Sequence, residues 1–306
     1  MNILHVYKTC KLQSQGGVET FIDTLCRDIE RLGVNNSLLI LVDTPSKEPI
    51  KMAGYMVFEA KQNIFIASTG FSFSAFLLFK KLAQEAHLVH YHFPNPFADM
   101  LHFFCRIDKP SIVTYHSDIV NKKLLLWLYQ PLQSLFLSSV DHIVATSENY
   151  QASSVILQKL SDKTSVIPIG IDIDSYPKVS QDRLDYWSER LQSPFFLFIG
   201  AMRYYKGLHI ALDAIKGSNM RFVIAGIDSG KGIEKELKHQ ADSYDIRNVE
   251  FLGFVCDEDK IALLTLCYAF VFPSHLRSEA FGISLLEAAA CGKPMISCEI
   301  GTGTSH

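Results

Sequence analysis

Short apolar runs alternate with longer amphipathic stretches along this chain, and no other feature of the sequence restricts the fold as much. Residues 3–7 and 38–42 are apolar runs typical of buried strands. Between them, residues 18–32 repeat apolar positions with the period of a helix that ends at Gly33. Strand, helix and strand in this order form a βαβ unit, so the opening of the chain predicts a mainly parallel sheet with helices on both faces.

The same rhythm runs through the chain twice. Further strands of the first half are predicted at 88–92, 111–116, 142–146 and 165–169. After a polar stretch that begins beyond residue 172, strands are predicted again at 195–200, 221–225, 249–252, 269–272 and 295–298. The sequence thus predicts two doubly wound α/β domains, residues 1–172 and 173–306. Open sheets of this kind bind ligands at the carboxyl ends of their strands, so the expected site is a cleft between two facing sheets.

Composition excludes several classes of protein. With 29 Lys and Arg against 32 Asp and Glu, the 306-residue chain has a net charge of −3, which argues against a nucleic-acid partner. The seven cysteines include no Cys-x-x-Cys pair, so free thiols are predicted rather than a disulfide framework or a zinc ribbon. The amino terminus lacks the pattern of a signal peptide, and the apolar runs at 71–79 and 263–272 are too short to span a bilayer. We therefore expect a cytoplasmic protein, soluble or peripheral.

Two glutamates eight positions apart, Glu279 and Glu287, bound the most specific motif of the chain. Phe281 and Gly282 lie between them, where a loop opens a predicted helix. A helix start offers free N–H groups to a phosphate or a hydroxyl, and carboxylates accept hydrogen bonds from the paired hydroxyls of a sugar. The alternative is a surface helix with two solvated acids, which the spacing alone leaves open.

Two loops that follow predicted strands carry residues suited to phosphate. Residues 200–207 include Arg203 and Lys206, a cationic pair that can bind a diphosphate. Gly16 and Gly17 precede a helix, where adjacent glycines can hold an anion or leave room for an acceptor. Taken alone, the first loop is explained better by two solvated charges on a turn, and the glycine pair by a simple turn.

Three histidines occupy predicted strands or strand ends. His116 closes a strand and is placed to reach a ligand, with a core or surface histidine as the alternative. His90 and His92 share one face of a strand as a potential metal pair, but no cysteine or carboxylate stands at a supporting spacing. We therefore predict no metal site. Residues 226–232 resemble a P-loop but lack its residue spacing and its Ser or Thr, so we do not predict a P-loop here.

Taken in chain order, these motifs resemble one family along the whole chain. The pair Gly16 and Gly17, then His116, residues 167–172, the 200–207 loop and residues 279–287 are similar to the retaining family-4 glycosyltransferases of GT-B fold. The narrower resemblance is to bacterial enzymes that build O-antigen and capsular polysaccharide, many of them mannosyltransferases. The resemblance also implies about sixty further residues, so the second domain is expected to be incomplete at its carboxyl end and the chain truncated.

The resemblance implies roles for the motif residues. Glu279 and His116 become the catalytic residues: Glu279 contacts sugar hydroxyls near the reacting carbon, and His116 touches the donor sugar. The donor-binding residues are then Gly16, Gly17, Arg203, Lys206, Phe281, Gly282, Ile283 and Glu287. Among these, Glu287 is expected to bind the ribose hydroxyls, and Lys206 with Arg203 to neutralise the leaving diphosphate in a metal-independent transfer.

The resemblance further implies a nucleotide-diphosphate sugar as co-substrate, with GDP-mannose as the first choice, and no cofactor. The acceptor is expected to be a polyprenyl-linked or glycan molecule. Lys122, Lys123 and Trp127 could hold the chain on the inner leaflet, although an ordinary buried helix with a basic start explains them as well.

Other functions stay open at this point. A non-catalytic homologue that acts as a partner protein fits a shortened chain, and another GT-B enzyme such as a sugar-nucleotide epimerase fits the loop motifs. A nicotinamide dehydrogenase is poorly supported, because the glycine fingerprint is missing after the first strand.

Overall fold

A computed structural model of the protein divides the chain into two compact units, Met1–Ile169 (unit 1) and Gly170–His306 (unit 2). The sequence placed this division after Asp172. The structure describes residues 1–14, 16–119, 123–192, 194–228, 230 and 232–305, with only the backbone at 123 and 124. Each unit is an α/β structure with its own sheet.

Unit 1 alternates strands and helices as the sequence predicted. Its strands are β1 (Asn2–Val6), β2 (Asn35–Val42), β3 (Ile50–Met52), β4 (Tyr55–Lys61), β5 (Ile64–Ile66), β6 (Thr69–Phe71), β7 (Leu88–Phe93), β8 (Ser111–Tyr115), β9 (His142–Ala145) and β10 (Thr164–Val166). Its helices are α1 (Gly17–Glu30), α2 (Ser74–Glu85), α3 (Pro96–Phe104), α4 (Lys123–Ser139), α5 (Glu148–Ser153) and α6 (Val155–Lys159), with a 3₁₀ turn at Ser161–Lys163.

The main sheet of unit 1 has the strand order β10-β9-β8-β7-β1-β2-β4-β3. Its neighbouring strands are parallel except for the antiparallel pair of β3 and β4. The chain continues from β1 to β2 on one side and returns to β7 on the other, so β1 and β7 flank the switch point where ligands bind in such sheets. Strand β7 is buried along nearly its whole length, as expected of a parallel strand covered on both faces.

Unit 2 repeats this plan with fewer strands. Its strands are β11 (Phe195–Ile199), β12 (Arg221–Ala225), β13 (Val249–Gly253), β14 (Ala269–Phe272) and β15 (Met295–Ser297). Its helices are α7 (Gln181–Leu191), α8 (Leu208–Ile215), α9 (Ile233–Ser243), α10 (Asp257–Leu266) and α11 (Ile283–Ala290), with 3₁₀ turns at Ile173–Ser175, Tyr204–Lys206 and Gly303–Ser305.

The sheet of unit 2 is parallel throughout its described strands, in the order β13-β12-β11-β14-β15. Its switch point lies between β11 and β14, the two strands that precede the Lys206 loop and the Glu279 loop. Phenylalanines of these two strands, among them Phe198, Phe270 and Phe272, are fully buried in one hydrophobic core.

The predicted doubly wound α/β class is confirmed in both units. All seven cysteines lie in the described residues and are free, as predicted. No helix in the part of the chain that the structure describes is long and apolar enough to cross a bilayer. The sequence prediction missed β3 to β6, and it also missed α7 in the polar stretch before residue 194.

Candidate functional site

The loop after β11 owes its path to a glycine. Gly207 has a φ of +70°, in the left-handed region that glycine favours, and an added Cβ would overlap the carbonyl oxygen of Pro273. The backbone N–H of His275 donates to the carbonyl oxygen of Tyr205 at 3.0 Å. The loop after β11 therefore packs directly against the chain that follows β14, which places Lys206 beside Glu279.

Lys206 and Glu279 form an ion pair, in which Nζ of Lys206 donates to Oε2 of Glu279. Their side chains are only 12% and 11% exposed. The hydroxyl of Ser274 donates to the same carboxylate oxygen at 3.4 Å, and Nζ also lies 4.5 Å from the centre of the Phe272 ring. One oxygen of Glu279 is thus held, while Oε1 has no hydrogen-bond partner among the described residues.

Glu287, on α11, is held in a similar way. Its Oε1 accepts hydrogen bonds from the Tyr176 hydroxyl at 2.6 Å and from Nζ of Lys260 at 2.8 Å. Lys260 also pairs with Asp257 at 2.9 Å. Desolvation disfavours the charged form of Lys260, but its contacts with Glu287 and Asp257 outweigh desolvation and raise its pKa. Oε2 of Glu287 makes no hydrogen bond within the described part of the chain.

The start of α11 lies between the two glutamates. Gly282 is its N-cap with a φ of +87°, and an added Cβ would lie 2.9 Å from Cε1 of Phe272. Glycine is therefore needed here for packing against the core. Phe281 packs in turn on the loop at Gly303, where an added Cβ would lie 2.6 Å from Cδ2 of Phe281. The first amides of α11, including that of Ile283, point out of a helix start that carries a partial positive charge.

Arg203 stands apart from the ion pair. It precedes the 3₁₀ turn Tyr204–Lys206 and is exposed, without an ion pair or side-chain hydrogen bond to any residue that the structure describes. Unit 2 thus brings together Lys206, Glu279, Glu287 and the helix start, and Arg203 adds an exposed cation next to the Tyr204–Lys206 turn. These groups can accept hydrogen bonds from hydroxyls and balance the charge of a phosphate.

In unit 1, Gly16 and Gly17 open α1 as predicted, but Gly16 has a local explanation. Its φ of −73° suits any residue, whereas an added Cβ would overlap the carboxylate of Glu19. That carboxylate folds back and accepts a hydrogen bond from the Thr9 hydroxyl at 2.5 Å. The small size of Gly16 makes room for Glu19, and Gly17 is exposed at the helix start.

His116 belongs to a cluster of four imidazoles, which we call the histidine stack: His5, His90, His92 and His116. The rings of His90 and His92 are stacked with centroids 4.4 Å apart, on one strand face as the sequence predicted. The ring of His116 is tilted by 22° from that of His92 with centroids 5.3 Å apart, and its Nε2 lies 3.1 Å from Nδ1 of His92, so these two rings meet at their edges. His116 itself is 6% exposed, at the carboxyl end of β8.

The stack contains three nitrogen atoms at a spacing that suits a metal ion, since ligand atoms of His5, His90 and His92 all lie within 4.8 Å of one another. These nitrogens, however, already have hydrogen-bond partners: Nδ1 of His5 lies 3.2 Å from Nε2 of His92, and Nε2 of His90 lies 2.7 Å from the Thr114 hydroxyl. Each of these hydrogen bonds uses a ring nitrogen that a metal ion would need as a ligand. Burial lowers the pKa of His116 to about 3 and that of His5 to about 4, so the imidazoles are neutral near pH 7.

The sequence analysis missed the residues that hold the candidate site in place: Tyr176, Lys260, Ser274, His5 and Asn36. The first three come from separate elements and carry no motif. His5 did have a signal, because a histidine inside an apolar strand that is buried on both faces needs a partner.

Two family models match the chain. Glycosyltransferase Family 4 matches residues 15–175, and Glycosyl transferases group 1 matches residues 185–305. The D-rhamnosyltransferase WbpZ of Pseudomonas aeruginosa strain PAO1 is 53% identical over the whole chain, which covers 80% of that relative. The O-antigen chain mannosyltransferase C of Escherichia coli is 49% identical, with 100% of this chain and 81% of the relative covered.

Solved structures agree on the fold. Anabaena HepE in complex with UDP and glucose matches with a TM-score of 0.73 and 20% identity, covering 100% of this chain and 82% of that chain. Sucrose-phosphate synthase of Thermosynechococcus elongatus matches with a TM-score of 0.78 and 16% identity, covering 98% and 82%. The fold and the matches define a GT-B glycosyltransferase. The chain belongs to glycosyltransferase family 4.

Proposed function

We propose that the protein transfers a hexose from a nucleotide-diphosphate sugar to a lipid-linked or polysaccharide acceptor in the synthesis of O-antigen or a related surface glycan. The observation that carries this proposal is the paired arrangement of Glu279 and Glu287. Each carboxylate is held through one oxygen by a lysine and a hydroxyl, and each keeps its other oxygen for a ligand. Two fixed acceptors on either side of a helix start suit a nucleotide sugar, which offers hydroxyls at both ends and a diphosphate between them.

Mannose is our first choice for the transferred sugar, as in the name of the Escherichia coli relative. The Pseudomonas relative is named for D-rhamnose. D-rhamnose is 6-deoxy-D-mannose, and it is therefore our second candidate for the transferred sugar. Both sugars have an axial 2-hydroxyl, so the site would recognise the manno configuration, with the 6-position deciding between them.

We further propose that transfer proceeds with retention and without a metal ion or other cofactor. The acceptor oxygen bonds to the anomeric carbon on the face from which the diphosphate leaves, and the acceptor proton passes to the departing diphosphate oxygen. Lys206 and Arg203 supply the positive charge that the leaving group needs. Glu279, paired with Lys206, would orient sugar hydroxyls rather than attack the sugar, and His116 would touch the donor sugar as well.

An acceptor carried by a lipid requires access to a membrane surface. Trp127 and Leu128 on α4 are 68% and 62% exposed, and such apolar side chains beside lysines favour contact with anionic lipid. Of the residues assigned to this contact from the sequence, Lys122 lies outside the described residues, and only the backbone of Lys123 is described. We keep this surface as a proposal for peripheral contact with the inner leaflet.

Calorimetric titration tests the donor class directly. We expect the chain to bind GDP and GDP-mannose with EDTA present, and UDP at least tenfold more weakly. Tighter binding of GDP-D-rhamnose than of GDP-mannose would favour the second candidate. Absence of binding by folded protein to GDP, UDP and their sugars would overturn the proposed function and favour a non-catalytic partner protein.

Replacing Glu287 by Gln should weaken GDP binding by tenfold to a hundredfold. The loss follows from removing a charged acceptor, whose hydrogen bonds are worth about 1.5 to 3 kcal/mol. The control is Glu250→Gln, which removes a carboxylate that pairs with Arg190 and Arg221 elsewhere in unit 2. Equal affinity for GDP in the Glu287→Gln variant and in the wild type would remove Glu287 from the nucleotide site.

A further inference from the structure

The histidine stack ends on a side-chain amide whose orientation is determined by its surroundings. Asn36 is 4% exposed, and its Nδ2 lies 3.0 Å from the carbonyl oxygen of Cys26 and 3.2 Å from that of Gly54. A third carbonyl, that of Val34, lies at 3.4 Å. Only an NH₂ group can face carbonyl oxygens, since an amide oxygen there would be repelled. Oδ1 of Asn36 therefore faces the stack and can only accept a hydrogen bond.

This acceptor sets the direction of every hydrogen bond that follows. Oδ1 of Asn36 lies 3.4 Å from Nε2 of His5, so that nitrogen carries the proton. A neutral imidazole has one donor and one acceptor. Nδ1 of His5 is then an acceptor, and Nε2 of His92, 3.2 Å away, donates to it. In the same way, Nδ1 of His92 accepts from Nε2 of His116 at 3.1 Å.

The proton positions given above require that the imidazoles of His5, His92 and His116 are neutral. Burial is the largest cause that lowers the pKa of His5, His92 and His116. The positive charge of any one ring would also repel its neighbours in the stack. Near pH 7 each ring therefore keeps a single proton, and the polarity set at Asn36 reaches His116 unchanged.

The hydrogen-bonded series from Asn36 through His5 and His92 ends at the second ring nitrogen of His116. Nδ1 of His116 has no hydrogen-bond partner among the described residues, and it is not one of their fully buried atoms without a partner. His116 follows β8 at the side of the sheet where the carboxyl ends of β7 and β8 lie. This nitrogen presents a lone pair to whatever approaches that edge.

We propose that Asn36, His5 and His92 are positioning residues that hold His116 in its Nε2–H tautomer, so that Nδ1 accepts a hydrogen bond from a hydroxyl of the bound sugar. The part that concerns the sugar rests on the proposed function. With this tautomer His116 selects a group that donates a hydrogen bond, such as a hydroxyl, and disfavours phosphate and carbonyl oxygens, which only accept. A lone buried histidine would have no such preference, since either nitrogen could carry the proton.

The tautomers can be read directly on the unliganded protein. We expect long-range ¹H–¹⁵N spectra of the ¹⁵N-histidine-labelled chain at pH 7 to show His5, His92 and His116 as neutral Nε2–H imidazoles. Their signals are assigned with single His→Gln variants. An Nδ1–H tautomer or an imidazolium at His116 would overturn the proposal, whether or not the protein binds a nucleotide sugar.

Two matched variants distinguish the effect of the hydrogen bonds from the effect of ring packing on the tautomer of His116. His5→Phe keeps an aromatic ring but removes the acceptor of His92, so His92 and His116 should each populate both tautomers. His90→Phe removes a ring of the same stack that bonds to Thr114 instead, and the tautomer of His116 should stay the same. Identical spectra of His116 in the wild type and in His5→Phe would contradict the proposal.

A kinetic readout extends the test to the sugar. In His5→Phe we expect the KM for the sugar donor bound best in the titration to rise roughly threefold to tenfold, because one neutral hydrogen bond is weakened. His90→Phe should leave this KM within twofold of the wild type. If the spectra agree and KM does not change in His5→Phe, the tautomer is held as proposed but its role toward the sugar is wrong.

Discussion

Replacing Lys206 by Met is expected to lower the free energy of unfolding of unit 2 by about 3 kcal/mol. The change removes the ammonium group, which also lies 4.5 Å from the centre of the Phe272 ring, and leaves the Glu279 carboxylate without its cation at a site where both side chains are nearly buried. Urea denaturation of a Trp127→Phe background measures this loss, because the remaining tryptophan, Trp187, lies in the core of unit 2. A midpoint and slope equal to those of the background would contradict the prediction.

The double variant Lys206→Met with Glu279→Leu is the control. It removes both charges, so most of the lost stability should return, since a buried pair is replaced more easily than broken. Transfer should stay at least a hundredfold below the wild type in both variants if Lys206 stabilises the leaving diphosphate. A stable double variant with wild-type turnover would limit this ion pair to a structural role.

Much of the fold followed from the sequence because central parallel strands are apolar on both faces. Strand β7 and the central strands β11, β12 and β14 of unit 2 are short, mostly apolar runs bounded by loops, and each was predicted near its observed position. Strands β3, β5 and β6 were missed for the opposite reason. They have three residues each, Ile64–Ile66 is exposed throughout, and β3 lies at the edge of the main sheet, where pairing depends on neighbours rather than on the local pattern. Strand β4 was also missed, although it is longer and its residues are mostly buried or half-buried.

The sequence predicted those parts of the candidate site whose residues lie close together along the chain. It did not predict the parts that depend on contacts between residues distant in the sequence. The spacing of Glu279 and Glu287 located the loop and the helix start correctly. Lys260 and Tyr176, which hold Glu287, lie 27 and 111 positions away from it, so no spacing rule joins them. Gly16 shows the converse: a glycine pair suggested room for an anion, and in the structure Gly16 makes room for Glu19.

The path of the loop after β11 requires glycine at position 207, because no side chain fits there. Gly207→Ala is expected to lower the free energy of unfolding of unit 2 by about 4 kcal/mol. The new Cβ would overlap the carbonyl oxygen of Pro273, a backbone atom that cannot turn aside, and the left-handed backbone adds its own strain. Urea denaturation followed through Trp187 measures the change.

Gly217→Ala is the matched control, because Gly217 has a φ of +69° against +70° for Gly207 and nothing lies within 4 Å of its added Cβ. Its cost should be the backbone strain alone, about 1 kcal/mol. The difference between the two variants measures the close approach of the loops that follow β11 and β14. Because this approach sets Lys206 beside Glu279, Gly207→Ala should also weaken nucleotide binding, while Gly217→Ala should not. Equal losses in both variants would mean that the loop shifts freely, and that the ion pair does not depend on this contact.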